Sequence, residues 1–330
     1  MGNKPIATIC VPVYKVEAYV AECIRSILRQ DYPFLELIVV DDASPDSSMA
    51  IVKRIVAEEN SRNHAVQLIE LAENGGLNNA RRHAVKAAQG KYLFFVDSDD
   101  YLTDTGAVTK VIAAMEQSGA PMAIFDFISG YKHRNKPFRH IAQLQGEEAT
   151  AAFIDGSIPA YLWNKCFRKE LFLPFTNYIG REITLWEDKN RVIPYSFLHQ
   201  GICYVPGCFY HYRRYLPGAM SNNPSETALR SVQLVHQNMV EFFAQHPHGA
   251  QIAAALQREA VIVKLLQYRT DHYEAFRKAS EDFPISRAEA GLLKGLANAP
   301  YRLMVRFNNR GKLRAGFRVM RAVQRAKALL

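Results

Sequence analysis

The stretch "KYLFFVDSDDYL", Lys91 to Leu102, runs five apolar or aromatic residues, Tyr92 to Val96, straight into three carboxylates, Asp97, Asp99 and Asp100. A short apolar run of this kind reads as a buried strand. In an extended segment residues i and i+2 project to one side, so Asp97 and Asp99 are expected to face one point and Asp100 to face away. Carboxylates about 6–7 Å apart along a strand repel each other unless a cation lies between them. Oxygen ligands suit Mg²⁺ or Mn²⁺, either of which could bind a diphosphate. An isolated pair is more often a solvated turn or a helix cap, so its neighbours carry the weight.

Those neighbours alternate between strand-like and helix-like segments. Ile6–Val11, Leu35–Val40, Ala65–Leu71, Tyr92–Val96 and Met122–Phe127 are β-rich runs. Between them Val20, Ile24, Ile27 and Leu28, then Val52, Ile55 and Val56, recur at helical spacing, and "GLNNARRHAVKAAQG" and about 105–117 also read as helices. Such alternation predicts an α/β fold, a mostly parallel sheet with helices on both faces. Ligands gather at the carboxyl ends of its strands. Asp41–Asp42 and Asp97–Asp100 both fall at such ends. Beyond about residue 130 the pattern loosens into aromatic and basic segments flanking Glu187–Asp188, and about 225–296 reads as helical.

The chain has 330 residues, 48% hydrophobic and 22% charged, ample for one large or two modest domains. No apolar run approaches the ~18 residues needed to span a bilayer. The first residues show neither an export leader nor a myristoylation pattern, Ile standing at position 6. Five scattered cysteines without a CxxC pair suggest reduced thiols in a cytosolic protein. The net charge of +9 belongs to the last 31 residues, which hold nine Lys or Arg and no acid; elsewhere 32 basic side chains balance 32 acidic ones.

"TICVPVYKVEAYVAECIRSILRQDY", "LELIVVDDASPDSS", "ENGGLNNARRHAVKAAQGKYLFFVDSDD" and "LWED", in this order and spacing, resemble an inverting family 2 glycosyltransferase of the GT-A fold over about residues 4–215. The resemblance implies a Rossmann-like domain over 1–220, with a nucleotide-sugar half to about 130 and an acceptor half to about 220. A helical extension over 221–299 and a basic tail over 300–330 would follow. Carried over residue by residue, it sets Pro12 and Tyr14 against the nucleotide base and ribose, and Asp42 against the uracil N3–H, a charge-assisted bond. Asp41 could instead be structural. Arg81 would lie near the donor phosphates, or be a solvated helix residue. Asp99 would be the direct metal ligand, with Asp97 nearer the ribose. Asp188 matches the general base that takes the acceptor proton, with Glu187 its alternative; otherwise the two acids simply begin a helix.

In the acceptor half "YLWNKCFRK" resembles the family's W-N-K-x-x-R stretch. There Trp163 would stack on a sugar, with Asn164 or Lys165 bonding hydroxyls; a buried Trp is the other reading. In "CFYHYRRYLPGAMS" His211 could add a metal ligand or be packed in the core, and Arg213 could contact phosphate or acceptor. The family's A-R-N-x-G reads "ARRHA" here, with Arg82 in place of Asn. The tail sets Arg314, Arg318, Arg321 and Arg325 at helical spacing against Leu313, Phe317, Met320 and Val323. It reads as a basic amphipathic helix for an anionic membrane or acceptor, or as a helix docked on the protein's own core. No nucleic-acid-binding fold is visible.

The expectation is therefore a cytoplasmic, peripherally membrane-associated hexosyl- or N-acetylhexosaminyltransferase. It would use a UDP-sugar with Mn²⁺ or Mg²⁺ to extend a bacterial surface glycan: lipid-linked oligosaccharide, lipopolysaccharide or capsule. A sugar nucleotidylyltransferase would want a Gly-rich basic loop after the first strand, which "VPVYKVEAYV" lacks. The alternative is a catalytically silent subunit that binds a glycan or nucleotide sugar and is anchored by the tail.

Overall fold

The apolar runs of the first half become strands because both of their faces are covered. In the computed structural model β1 (Ala7–Val13) and β2 (Leu35–Asp41) are buried at every residue, the mark of a parallel sheet between two helical layers. The structure describes residues 6–131, 134–139, 144–176, 183–214, 216, 225–268, 272–292, 304, 308–309 and 311–329, with side chains described as far as 322. The remaining strands are β3 (Ala65–Glu70), β4 (Tyr92–Phe95), β5 (Tyr101–Leu102), β6 (Met122–Tyr131), β7 (Arg134–Phe138), β8 (Lys165–Arg168) and β9 (Ile202–Arg213). They run in the order β3-β2-β1-β4-β8-β6-β9-β5, with β7 on β6.

The sheet has two characters. β3, β2, β1 and β4 are all parallel, Cys10 standing opposite Ile38 on one side and Phe95 on the other. From β8 onward the pairing is mixed: β8 is antiparallel to both β4 and β6, β9 parallel to β6, and β5 antiparallel to β9. The expected parallel arrangement thus holds for the first half, and four of the eight pairings among the described residues are antiparallel. Strands β7, β8 and β9 escaped the sequence reading because their aromatic and basic residues give no clean alternation, and β5 because two residues show no period.

Alternate residues of β1 serve opposite layers. Ile9 and Val11 join a core beneath α1 (Val20–Leu28), α2 (Ser48–Glu59) and α4 (Ala107–Ser118). Cys10 joins a core beneath α3 (Leu77–Ala87), α5 (Gly146–Asp155), α6 (Lys169–Phe172) and α7 (Lys189–His199). α1 buries Val20, Cys23, Ile24, Ile27 and Leu28, the face that its spacing predicts.

The helical region over 225–296 resolves into α8 (Glu226–Ala244), α9 (Ala250–Gln267), α10 (Tyr273–Asp282) and α11 (Arg287–Gly291). α8 and α9 contribute Met239, Phe243, Ile252 and Ala255 to the second core. A third core joins Val261, Leu265 and Tyr268 to Phe276, Met304 and Met320, with Phe317 packed against it. Phe317 and Met320 lie on α12 (Leu313–Leu329), and Phe317 sits 5.3 Å from the Phe276 ring. Of the readings left open for the tail, these two residues take self-docking, while Arg314 and Arg318 stay exposed. The side chains of Val323 and Arg325 lie outside the described residues.

Candidate functional site

The parallel half ends in a cleft of ≈ 450 Å³ above the carboxyl ends of β1, β2 and β4. Pro12, Tyr14, Asp42, Asp97, Asp99 and Glu187 line it, together with Arg82 from α3. Asp42 accepts the backbone N–H of Gly75 at Oδ1 and of Gly76 at Oδ2, both at 2.8 Å, and so fixes the loop that opens α3. That loop requires glycine: Gly76 has φ +83°, and a Cβ on Gly75 would lie 2.3 Å from Asn79. Asp41 accepts the N–H of Ser44 at 2.8 Å, in the structural role left open for it.

Asp97 and Asp99 both face the cleft, but not by strand alternation. β4 stops at Phe95, and 97–100 is a turn closed by the Asp100 N–H donating to the Asp97 carbonyl at 2.9 Å. Asp100 points away, as expected, and has a partner there. Its carboxylate accepts the Tyr210 hydroxyl at 2.9 Å and the Arg213 N–H at 2.7 Å, fastening the turn to β9. Burial pushes Asp99 up to about 6, aided by the charge of Asp97. Two crowded carboxylates of this kind are what a hard divalent cation relieves, so Asp97 and Asp99 fit Mg²⁺ or Mn²⁺. Among the described residues no group of three His, Cys, Asp or Glu is placed to hold a metal. Further ligands would come from substrate or water.

Arg81 is 2% exposed. It lies behind the rim rather than free on the helix surface. Its Nη2 donates to Asp97 at 2.8 Å, and its Nη1 to Asp188 at 2.8 Å and, more distantly, to Glu187 at 3.4 Å. The expected phosphate contact is therefore corrected: three carboxylates hold the Arg81 guanidinium. Arg82, whose Nη2 donates to Asn79 Oδ1 at 2.6 Å, is the one basic side chain among the described residues lining the cleft. Arg81 ties the two acidic motifs into one cluster. Asp188 Oδ2 also accepts the Leu162 N–H at 3.0 Å. Asp188 stands at the N-cap of α7 without making a side-chain cap bond, so its carboxylate serves Arg81 and Leu162 instead. Burial and the Asp188 charge hold Glu187 well above the usual carboxylate range. Trp186, just before the pair, sits in the left-handed region at φ +67°.

The residues expected to bind acceptor are placed otherwise. Trp163 is buried, stacked between Tyr161 at 4.6 Å and Tyr210 at 4.5 Å, with Phe127 edge-on. No ring face is left for a sugar; half-buried Tyr161 ends the stack. Asn164 is fully buried and donates to the Phe125 carbonyl. Lys165, also fully buried, donates to the carbonyls of Pro159 and Tyr161 and to Asn164 Oδ1, and burial brings it down to about 7. These two hold the frame from within. His211 is corrected as a metal ligand. Strand alternation turns it away from the Tyr210 side, and it stacks on Tyr101 at 4.6 Å with Nε2 3.2 Å from Asn135. Arg213 is buried between Tyr19 and Tyr101 and donates to Glu22 and to the Asp99 carbonyl, bracing the acidic turn. Tyr161 packs against the core and lies outside the cleft lining.

The whole architecture is that of known glycosyltransferases. The structure superposes on *Staphylococcus aureus* TarS 1–349, solved in complex with UDP-GlcNAc, at TM-score 0.68 over 97% of this chain and 92% of that one, at 20% identity. It superposes on the mannosyltransferase PcManGT of *Pyrobaculum calidifontis*, solved with GDP-Man and Mn²⁺, at TM-score 0.55 over 98% and 88%, at 17% identity. The shared fold is GT-A. In sequence the chain is 44% identical over 192 residues to the uncharacterized glycosyltransferase EpsJ of *Bacillus subtilis* (strain 168), 56% of this chain and 54% of EpsJ. It is 26% identical over 221 residues to the putative glycosyltransferase EpsH of the same strain, 64% of this chain and 62% of EpsH. The chain thus spans a little over half the length of these relatives. Residues 8–180, more than half of the chain, match the profile described as Glycosyl transferase family 2, and the chain belongs to that family.

Proposed function

We propose that the chain transfers a sugar, with inversion, from a UDP-sugar to a hydroxyl of a bacterial surface glycan. The observation that carries this reading is the single cleft that joins Pro12, Tyr14, Asp42, Asp97, Asp99 and Glu187, with Arg81 tying Asp97 to Asp188 behind it. Asp42 holds its loop with one lone pair on each oxygen, and a second remains to accept a uracil imide N–H. A divalent ion on Asp97 and Asp99 would offset the charge developing on the leaving diphosphate. Asp188 takes the acceptor proton; Arg81 and the Leu162 N–H keep its carboxylate oriented. A second reading makes Glu187 the base, because Glu187 itself lines the cleft. The acceptor class, lipid-linked oligosaccharide, lipopolysaccharide or capsule, would be met at an anionic membrane face, where exposed Arg314 and Arg318 support attraction by charge.

The test is thermal melting with UDP, GDP, TDP and CMP, each with Mn²⁺ and again with EDTA. A ligand that binds only the folded chain raises the melting temperature. A rise with UDP that EDTA removes is expected. A rise with another nucleotide overturns the uracil contact, and no rise with any of them favours the silent binding subunit.

A further inference from the structure

The helical extension reaches the acidic motif through one buried carboxylate. Glu259, on α9, is 0% exposed. Its Oε1 accepts Lys189 Nζ at 2.6 Å and its Oε2 lies 2.9 Å from His236 Nδ1 on α8. Burial alone would push this carboxyl up; the Lys189 charge and the His236 contact hold it below its usual range. Lys189 follows Asp188 directly. Its ammonium also donates to the Ile154 carbonyl, in the last turn of α5, at 2.7 Å, and lies 4.0 Å from the Trp186 ring. Its backbone N–H donates to the Trp186 carbonyl at 3.0 Å.

Three elements thus converge on one ammonium, and the residue that carries it, Lys189, and the ring it touches, Trp186, flank Glu187 and Asp188. Trp186 pays for this in backbone conformation: φ +67° is disfavoured for an aromatic residue and persists only where the surroundings fix it. That turn is what sends Glu187 to the cleft and Asp188 to Arg81. Elsewhere in the extension charge pairs lie nearer the surface, as Arg277 with Glu274 and Glu281 do. A fully buried carboxylate holding a lysine beside the catalytic acids is a different device.

We infer that Glu259 is a positioning residue for transfer: through Lys189 it fixes the Trp186 turn and hence the aim of Asp188 and Glu187. This rests on the reading of that pair as the catalytic acids. It also gives the extension a part in the active site, as the outer wall of the base motif.

The experiment uses the full chain. Glu259→Gln keeps the shape and removes the charge. Turnover is expected to fall about 10- to 100-fold, the scale of a misplaced catalytic group, with UDP affinity within twofold of wild type. Tryptophan emission should change too, because the ammonium over Trp186 is disturbed while Trp163 stays in its aromatic stack. A merely structural role is separated by Lys189→Met/Glu259→Leu, since apolar replacement of a buried pair restores stability. The inference expects the melting temperature to recover and turnover to stay low; recovery of both overturns it. So does Glu259→Gln turning over within twofold of wild type. Should Glu259→Gln itself fail to fold, the double variant decides alone. Finally, Glu259→Gln is added to Asp188→Asn. No further loss is expected if the two act through one group, and a full further loss overturns the inference. Wild-type turnover in Asp188→Asn and in Glu187→Gln would instead sink the reading of the base, separately from the effect at Glu259.

Discussion

The cleft rim and the aromatic stack beneath it both carry polar or charged side chains, yet only the rim faces open space. At the rim Asp42, Asp97 and Asp99 follow parallel strands and line the cleft. Beneath it Trp163, Asn164, Lys165 and Arg213 are buried, and each bonds or stacks on the protein itself. The rim is positioned by topology, because every parallel strand delivers its last residues to the same edge. The stack is positioned by the turn that opens β8 and by the register of β9 between β6 and β5, where one residue's shift exchanges inside for outside. Chemistry-bearing side chains therefore open onto the cleft in the first setting and serve the framework in the second.

The largest effect separating the two settings is on rate. Asp188→Asn is expected to lower turnover about 10²- to 10⁴-fold, the usual contribution of a general base, and to leave UDP affinity near wild type. Kinetics beside calorimetric binding of UDP would check both. If Glu187 is the base instead, Glu187→Gln shows that loss and Asp188→Asn the smaller one.

Next comes stability. Trp163→Ala should cost about 4 kcal/mol, the range for a buried aromatic, measured by urea unfolding. A Trp163 that touched acceptor would show a raised acceptor KM at little cost in stability. His211→Gln should leave the Mn²⁺-dependent melting shift with UDP intact, whereas Asp99→Asn should abolish it. A shift lost in both would return His211 to the metal.

These contrasts mark what was legible in the sequence. Strands β1 to β4 and the start of β6, the helices between them and the acids at their ends were readable, because a parallel strand covered on both faces must be continuously apolar and must stop where ligands bind. The role of Asp100 was not, since its partners Tyr210 and Arg213 lie more than a hundred residues away. Nor was the fate of Arg81: a helix arginine becomes buried only when Asp97 and Asp188 converge on it from different segments. Asp97 and Asp99 do face one point, but a turn rather than an extended strand brings both acids to the cleft.

A gentler test of the framework is its pH dependence. Burial lowers Lys165 to about 7 from 10.5. Between those values the folded chain has released a proton that the unfolded chain still holds, so the Lys165 contribution to stability rises with pH across that window. Below pH 7 both states are protonated and the full cost of burying the charge remains. The stability of wild type relative to Lys165→Met should therefore rise from pH 7 to 10. A flat difference would mean that the ammonium reaches solvent or an acid.

The smallest effect belongs to the tail, where the same contrast recurs within one helix. Phe317 is packed and Met320 buried on the third core, while Arg314 and Arg318 are exposed. A helix already docked by its apolar side has only charge to offer an anionic surface. Each Arg near such a surface contributes about 1 kcal/mol, so Arg314→Gln with Arg318→Gln should weaken binding to vesicles containing phosphatidylglycerol roughly 30-fold at low salt. Raising the salt should do the same to wild type, because exposed charges are screened. Phe317→Ser should lower the melting temperature and leave vesicle binding per folded molecule unchanged. If that variant instead loses the membrane while staying folded, the apolar side inserts into lipid and the docked arrangement is not the one that binds.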